Sequence, residues 1–290
     1  MMASFTDEIL CAAATLRVDG LFDLLRRARL GSSWIRVLAY HGTPDASIES
    51  LEEQLRYLAE RFQCVDQDAL SMFLNGSLRL ERPGLVISFD DGLRDNYTNA
   101  APMLERHGLS GWFFATSTLP SLPESEQLAF CGSHELIVPP GTEGRIAMNW
   151  AELRDLAGRG HTIGCHTANH RRFRSEIPAE LVESEISTSS AVFLERLGRV
   201  PSSFAWVGGE PDTYSVTGLA AIRKAGYRFA FTTRSAPVTH TSNPFLLHRT
   251  VLDASMPFGA FRMKVAGASD LAHAASRSAL ERSLPTLVKP

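Results

Sequence analysis

Two adjacent carboxylates, Asp90 and Asp91, close the apolar run Gly84-Leu-Val-Ile-Ser-Phe89 and are followed by Gly92. The run is rich in β-branched and other apolar residues and reads as a strand buried on both faces. Two acids set against an apolar core repel each other and lose hydration unless a cation or a shared proton compensates. Capping of the next helical segment, 93–107, explains one acid but not two. Further along, His166 and His170 are spaced i and i+4. That spacing puts both imidazoles on one face if the chain turns helically there. Two histidines with one carboxylate are a common donor set for a catalytic divalent metal.

These residues need elements to hold them, and the hydrophobic pattern supplies a regular series. Strands are expected at 35–41, 84–89, 111–116, 161–165, 203–207, 229–233 and 245–251, with helices at 50–61, 66–74, 93–107, 149–160, 178–197 and 215–225. Such alternation argues for a parallel barrel or a doubly wound sheet, in which ligands gather at the carboxyl ends of the strands. Residues 6–30 carry apolar positions at helical spacing and read as helices packed outside the sheet. Arg26, Arg27 and Arg29 at the end of the second helix are read as complements to its dipole rather than as a membrane contact. The segment 119–147 is rich in Pro and Gly and long for a connection, so it reads as a lid or a poorly ordered insertion.

The bulk numbers exclude several classes. A chain of 290 residues suits one α/β domain with additions. A net charge of -3 with 21% charged residues lacks the basic excess that a nucleic-acid partner calls for. The four cysteines are widely scattered and read as free thiols of a reducing compartment. Asp7, Glu8 and Arg17 interrupt the N-terminal segment, so no export leader is read there and the expected location is cytoplasmic. No apolar run is long enough to cross a membrane.

Ser88-Phe-Asp-Asp-Gly92 and His166-Thr-Ala-Asn-His170 resemble the first two motifs of the NodB-homology polysaccharide deacetylases. Val37 to His41 resembles the Tyr-His entry strand of the subgroup that deacetylates poly-N-acetylglucosamine. Residues 150–164, read as Trp-x-x-Leu-x-x-Leu-x-x-x-Gly-His-x-Ile-Gly, are similar to that family as well. The resemblance covers roughly 35–265, leaving 1–34 as a helical extension, 119–147 as an insertion and 266–290 as a helical tail. It implies an α/β fold, a distorted barrel of about seven strands.

The same resemblance implies a divalent metal, usually zinc, held by Asp91, His166 and His170, with Asp90 as the general base. It implies an oxyanion donor at the backbone around Trp206 or Val207; Tyr40, Trp206 and Val207 are taken as the substrate-binding candidates. His41 is preferred as the general acid, with His248 in Leu246-Leu-His248 as the alternative, because it resembles the fifth motif of other members. Phe204-Ala-Trp-Val-Gly-Gly209 departs from the family's third motif, lacking its arginine and carrying Val207 in place of a proline. The function implied is removal of an N-acetyl or other N-acyl group from an amino sugar of a saccharide or saccharide precursor. A metal-dependent amidase acting on a non-sugar metabolite and a non-catalytic saccharide-binding relative are the rivals. His107, His161 and Cys165 are read as structural and His134 as a solvated loop residue; Trp112, Trp150 and Trp206 are read mostly as core, with Trp206 the one whose ring could stack on a sugar.

Overall fold

Each apolar run of the chain is short and is followed by a helix with one apolar face, so strands pair in parallel and helices cover them. The structure, a computed structural model, describes residues 5–284, so the extreme ends of the expected extension 1–34 and tail 266–290 lie outside the described residues. In chain order the elements are α1 (Phe5–Thr15), α2 (Val18–Leu30), β1 (Ile35–Tyr40), α3 (Ile48–Arg61), β2 (Gln63–Cys64), α4 (Gln67–Leu74), β3 (Gly84–Phe89), α5 (Ala101–Arg106) and β4 (Gly111–Ala115). They continue with α6 (Glu124–Ser133), α7 (Trp150–Gly158), β5 (Thr162–Cys165), α8 (Ala179–Leu197), β6 (Ser203–Ala205), α9 (Val216–Lys224), β7 (Phe229–Thr232), β8 (Leu247–His248), β9 (Thr250–Val251), α10 (Phe258–Ala266), α11 (Ala268–Ala272) and α12 (Ala274–Ser283).

The strands form a nearly closed barrel in the order β8-β7-β6-β5-β4-β3-β1-β9, all pairs parallel, with β2 added beside β3. Eight strands line the barrel rather than about seven. The apolar run 245–251 is not one strand: it breaks at Arg249, and its halves pair with opposite ends of the sheet, β8 with β7 and β9 with β1. Arg249 therefore stands at the seam.

Alternation along the strands sorts side chains into two layers. Val37, Val86, Phe114, Ala205, Phe231 and Leu247 fill the barrel. Leu38, Ile87, Phe113 and Phe204 face the helices. Gly164 is needed for this filling, because a Cβ there would lie 2.3 Å from the Phe114 ring. Arg36 also faces outward. It is fully buried and grips Asp270 of α11 with hydrogen bonds of 2.9 and 3.0 Å, tying the C-terminal helices to β1.

The segment 119–147 is neither loose nor a simple lid. It contains α6, and Leu93, Leu119, Cys131, Leu136, Ile146 and Ala147 form a small core of their own. Gln127, buried, accepts the backbone N–H groups of Ile146 and Ala147 at 2.8 and 3.0 Å. The helix expected at 93–107 opens instead as a wider π-type turn over Asn96–Ala100 before tightening into α5.

Candidate active site

Asp90 and Asp91 follow β3 and His166 follows β5, at the C-terminal ends of neighbouring parts of the sheet. Asp91 (φ 73°), Thr167 (φ 66°) and His170 (φ 54°) all adopt left-handed backbone although none is glycine. His166 and His170 thus reach one point through a pair of tight turns and not along a helix, which corrects the helical expectation. Residues in this conformation are costly and persist where the surroundings fix them, commonly at functional sites.

The candidate ligand atoms of Asp91, His166 and His170 lie within 4.8 Å of one another, and all three residues are buried. Asp91 Oδ1 is 3.5 Å from His166 Nε2 and 3.2 Å from His170 Nε2. His166 Nδ1 donates to the Ala205 carbonyl at 2.9 Å, and His170 Nδ1 to the His134 carbonyl at 2.7 Å. Those bonds assign the proton to Nδ1 and leave both Nε2 lone pairs aimed at Asp91. Asp91 Oδ1 has no hydrogen-bond partner despite its burial. Three lone-pair donors converging on one dry point fit a divalent cation, and the carbonyl-held imidazoles are the usual support of such a site.

Asp90 is oriented differently. Arg249 Nη1 and Nη2 donate to its Oδ1 and Oδ2 at 2.7 and 2.8 Å, and both residues are buried. Arg249 also bonds Ser88 Oγ at 3.1 Å and the Thr232 carbonyl at 3.1 Å. Burial would raise the Asp90 carboxyl, but the Arg249 guanidinium holds it below its ordinary value. The carboxylate stays ionised and fixed in plane.

His41 follows β1 one step beyond the pairing of Tyr40 with Phe89, which sets it level with Asp90; it is exposed, and its charge is felt by both aspartates. His248 is turned elsewhere. Its Nδ1 meets Thr232 Oγ1 at 2.9 Å, and its Nε2 lies 3.6 Å from Glu281 of α12. Burial and the cations of the C-terminal helices, Arg277 first, push it down to about 4. It is neutral at pH 7 and lacks the proton a general acid must give. Asp253 does not orient it; that carboxylate accepts from Ser255.

Two further expected contacts are not available. Tyr40 is fully buried on the helix-facing layer, donating to Gln54 Oε1 at 2.8 Å. Trp206 is 1% exposed among Phe173, Phe204 and Tyr214, which leaves no ring face for a sugar. Its backbone N–H is given to the Phe231 carbonyl at 3.0 Å. Val207, also buried, is the second residue beyond β6.

Beside the His41 to Pro44 turn lies a cleft of about 570 Å³, lined by Asp45, Asp95, Asn99, Pro139 and Arg145 among others. Asp95 accepts the Thr43 N–H at 2.8 Å through Oδ2, while its buried Oδ1 has no partner. Burial, against the pull of the Thr43 and Asn96 amides, pushes its carboxyl up to about 6.

The family model for polysaccharide deacetylases matches residues 78–230, which spans both aspartates, both histidines and the strands that carry them. The chain belongs to the polysaccharide deacetylase family. YxkH of Bacillus subtilis (strain 168), named provisionally as a polysaccharide deacetylase, is 22% identical over 244 residues, covering 79% of this chain and 78% of its own. The structure of IcaB from Ammonifex degensii superposes with a TM-score of 0.62 at 21% identity, covering 83% of this chain and 98% of its own. A de-N-acetylase from Aggregatibacter actinomycetemcomitans gives 0.63 at 18% identity, with 80% and 99% covered. These structures share the fold.

Within this polysaccharide deacetylase, Arg249 gives Asp90 the guanidinium partner that Phe204 to Gly209 does not supply. Sequence reading passed over Arg249, the His134 carbonyl and Asp95. Of these, only Arg249 left a signal, a charged residue inside a segment that otherwise reads as a strand. The contacts of His161, His107 and Cys165 are structural, whereas His134, expected in a solvated loop, ends α6 half-buried against the Phe130 ring. His161 Nδ1 accepts the Gly111 amide, His107 pairs with Glu52, and Cys165 Sγ points away from the site to Ser189.

Proposed function

We propose that this deacetylase is metal-dependent and hydrolyses the N-acetyl, or another N-acyl, amide of an amino sugar in a saccharide or its precursor. The observation that carries the reading is the convergence of Asp91 Oδ1, His166 Nε2 and His170 Nε2 on one buried point. Two imidazoles and one carboxylate suit zinc, which leaves a position open for substrate or water. A divalent cation held there supplies Lewis acidity, polarising the acyl carbonyl and lowering the pKa of water.

The chain's own groups do the rest. Asp90, ionised and held in plane by Arg249, accepts the proton of the attacking water. With the Trp206 amide engaged, the Val207 N–H is the backbone donor we assign to the developing oxyanion. His41 protonates the leaving nitrogen as the C–N bond breaks, giving a carboxylic acid and a free amine. The polar cleft lined by Pro44, Asp45, Asp95 and Arg145, which starts three residues after His41 in the chain, offers room for the sugar. We take 35–265 as the catalytic unit, and 1–34 and 266–290 as helical additions. The four free thiols suit a reducing compartment and hence a precursor substrate.

The test is release of acetate from N-acetylglucosamine oligomers by zinc-loaded protein, with metal counted by mass spectrometry. Turnover that tracks metal content supports the reading. A fully metal-loaded protein that frees no acid from any N-acyl sugar would overturn it.

A further inference from the structure

The helix α2 carries its apolar stripe on the side away from the protein. At 100° per residue, Asp19 and Arg26 share one face, and that face is turned inward. Asp19 is bound by Arg262, and Arg26 reaches Asp270 and the Ala266 carbonyl while its guanidinium lies 4.8 Å from the Trp34 ring centroid. The opposite face presents Leu21, Leu24 and Leu25, which are 54%, 65% and 60% exposed, together with exposed Ala28. In the neighbouring α1, Ile9 is 54% exposed, and Leu16, just beyond that helix, is 78% exposed. Leucines gathered in this way on a surface mark a contact site more often than chance exposure.

The edges of the stripe identify the partner. Arg27 and Arg29 flank it on either side and Arg17 occupies the preceding turn; all three are exposed, and none forms an ion pair among the described residues. We propose that this face of α2, with Ile9 and Leu16, lies in the interface of an anionic lipid bilayer. The leucines would enter the headgroup boundary and the arginines pair with lipid phosphates. A second copy fits less well. A two-fold contact would set the arginines against one another, and the nearest acids, Asp19 and Asp23, are already engaged by Arg262 and Arg26. The helix leads into Trp34 at the N-terminal end of β1, whereas the Asp-His-His cluster lies at the C-terminal ends of the strands, so the cleft stays clear of the lipid.

Co-sedimentation of the full chain with vesicles tests this directly, comparing phosphatidylcholine alone with phosphatidylcholine mixed with phosphatidylglycerol. Binding is expected with the mixed vesicles only, weakening as salt rises and by about fivefold for each of Arg27→Gln and Arg29→Gln. Leu24→Ser combined with Leu25→Ser should abolish binding with an unchanged melting temperature, since both side chains are at the surface. Protein that stays in the supernatant with both vesicle types would overturn the proposal. So would light scattering that reports a dimer which the double leucine variant dissociates.

Discussion

Arg249 and Asp90 lie far apart in the chain and meet through two parallel hydrogen bonds of 2.7 and 2.8 Å, out of contact with water. The guanidinium sits at the seam of the barrel and the carboxylate at the end of β3, so one ion pair ties the seam to the third strand counted from β9. A buried pair of this kind is weak evidence for stability, but breaking it leaves an uncompensated charge.

Arg249→Met should therefore destabilise the fold by about 3 kcal/mol and lower kcat with metal content unchanged. Adding Asp90→Asn to it should restore much of the stability and none of the activity. Urea denaturation alongside metal analysis checks both. Arg249→Lys keeps a charge but not the two-pronged geometry, and should fall between wild type and Arg249→Met in kcat.

The two aspartates separate by what they hold. Asp91→Ala and His166→Ala should lose bound metal and turnover together, while Asp90→Asn should keep metal and lose turnover alone. Mass spectrometry of the purified variants distinguishes these outcomes.

General acid chemistry is assigned to His41, so His41→Ala should cost on the order of a hundredfold or more in kcat. His248→Ala should act through stability and leave kcat within about a few-fold of wild type, because His248 is buried against Thr232 and α12.

Two groups set opposite pH trends. The Asp95 carboxyl, pushed up to about 6 by burial, contributes stability below its unfolded pKa near 4 and loses it as pH rises through 6. Asp95→Asn should therefore melt higher than wild type at pH 8, the gap closing towards pH 4. His248, pushed down to about 4, contributes stability above pH 6.5 that is lost as pH falls through 4. His248→Gln should flatten that acid limb. Thermal denaturation across pH 4 to 8 reads both.

The Asp-His-His cluster was legible because adjacent carboxylates beside an apolar core, matched by two imidazoles after another strand, call for a cation to offset their charge and lost hydration. The alternation of strand and helix was legible for the same reason that the barrel forms, since each apolar run has one period. Arg249 was not. Its flanking dipeptides have the apolar pattern of a single strand, and only closure of the sheet reveals that they belong to opposite edges. Tyr40 and Trp206, both candidates for the substrate, are turned by strand alternation to the helix layer. The same alternation rightly turned Cys165 away from its neighbour His166. The carbonyl of His134 could not be read at all, because a backbone oxygen leaves no trace in residue type.

The seam gives this barrel a particular way to fail. Most barrels that loosen at an edge lose a few ladder bonds; this one would also release the anchor of Asp90, because Arg249 bridges Thr232 on β7 to Ser88 and Asp90 on β3. The Asp-His-His cluster also draws on β3, but Arg249 bonds none of its three side chains. Gentle heating of protein loaded with zinc should thus yield a form that retains the added metal but has stopped turning over, an inactivation that precedes melting.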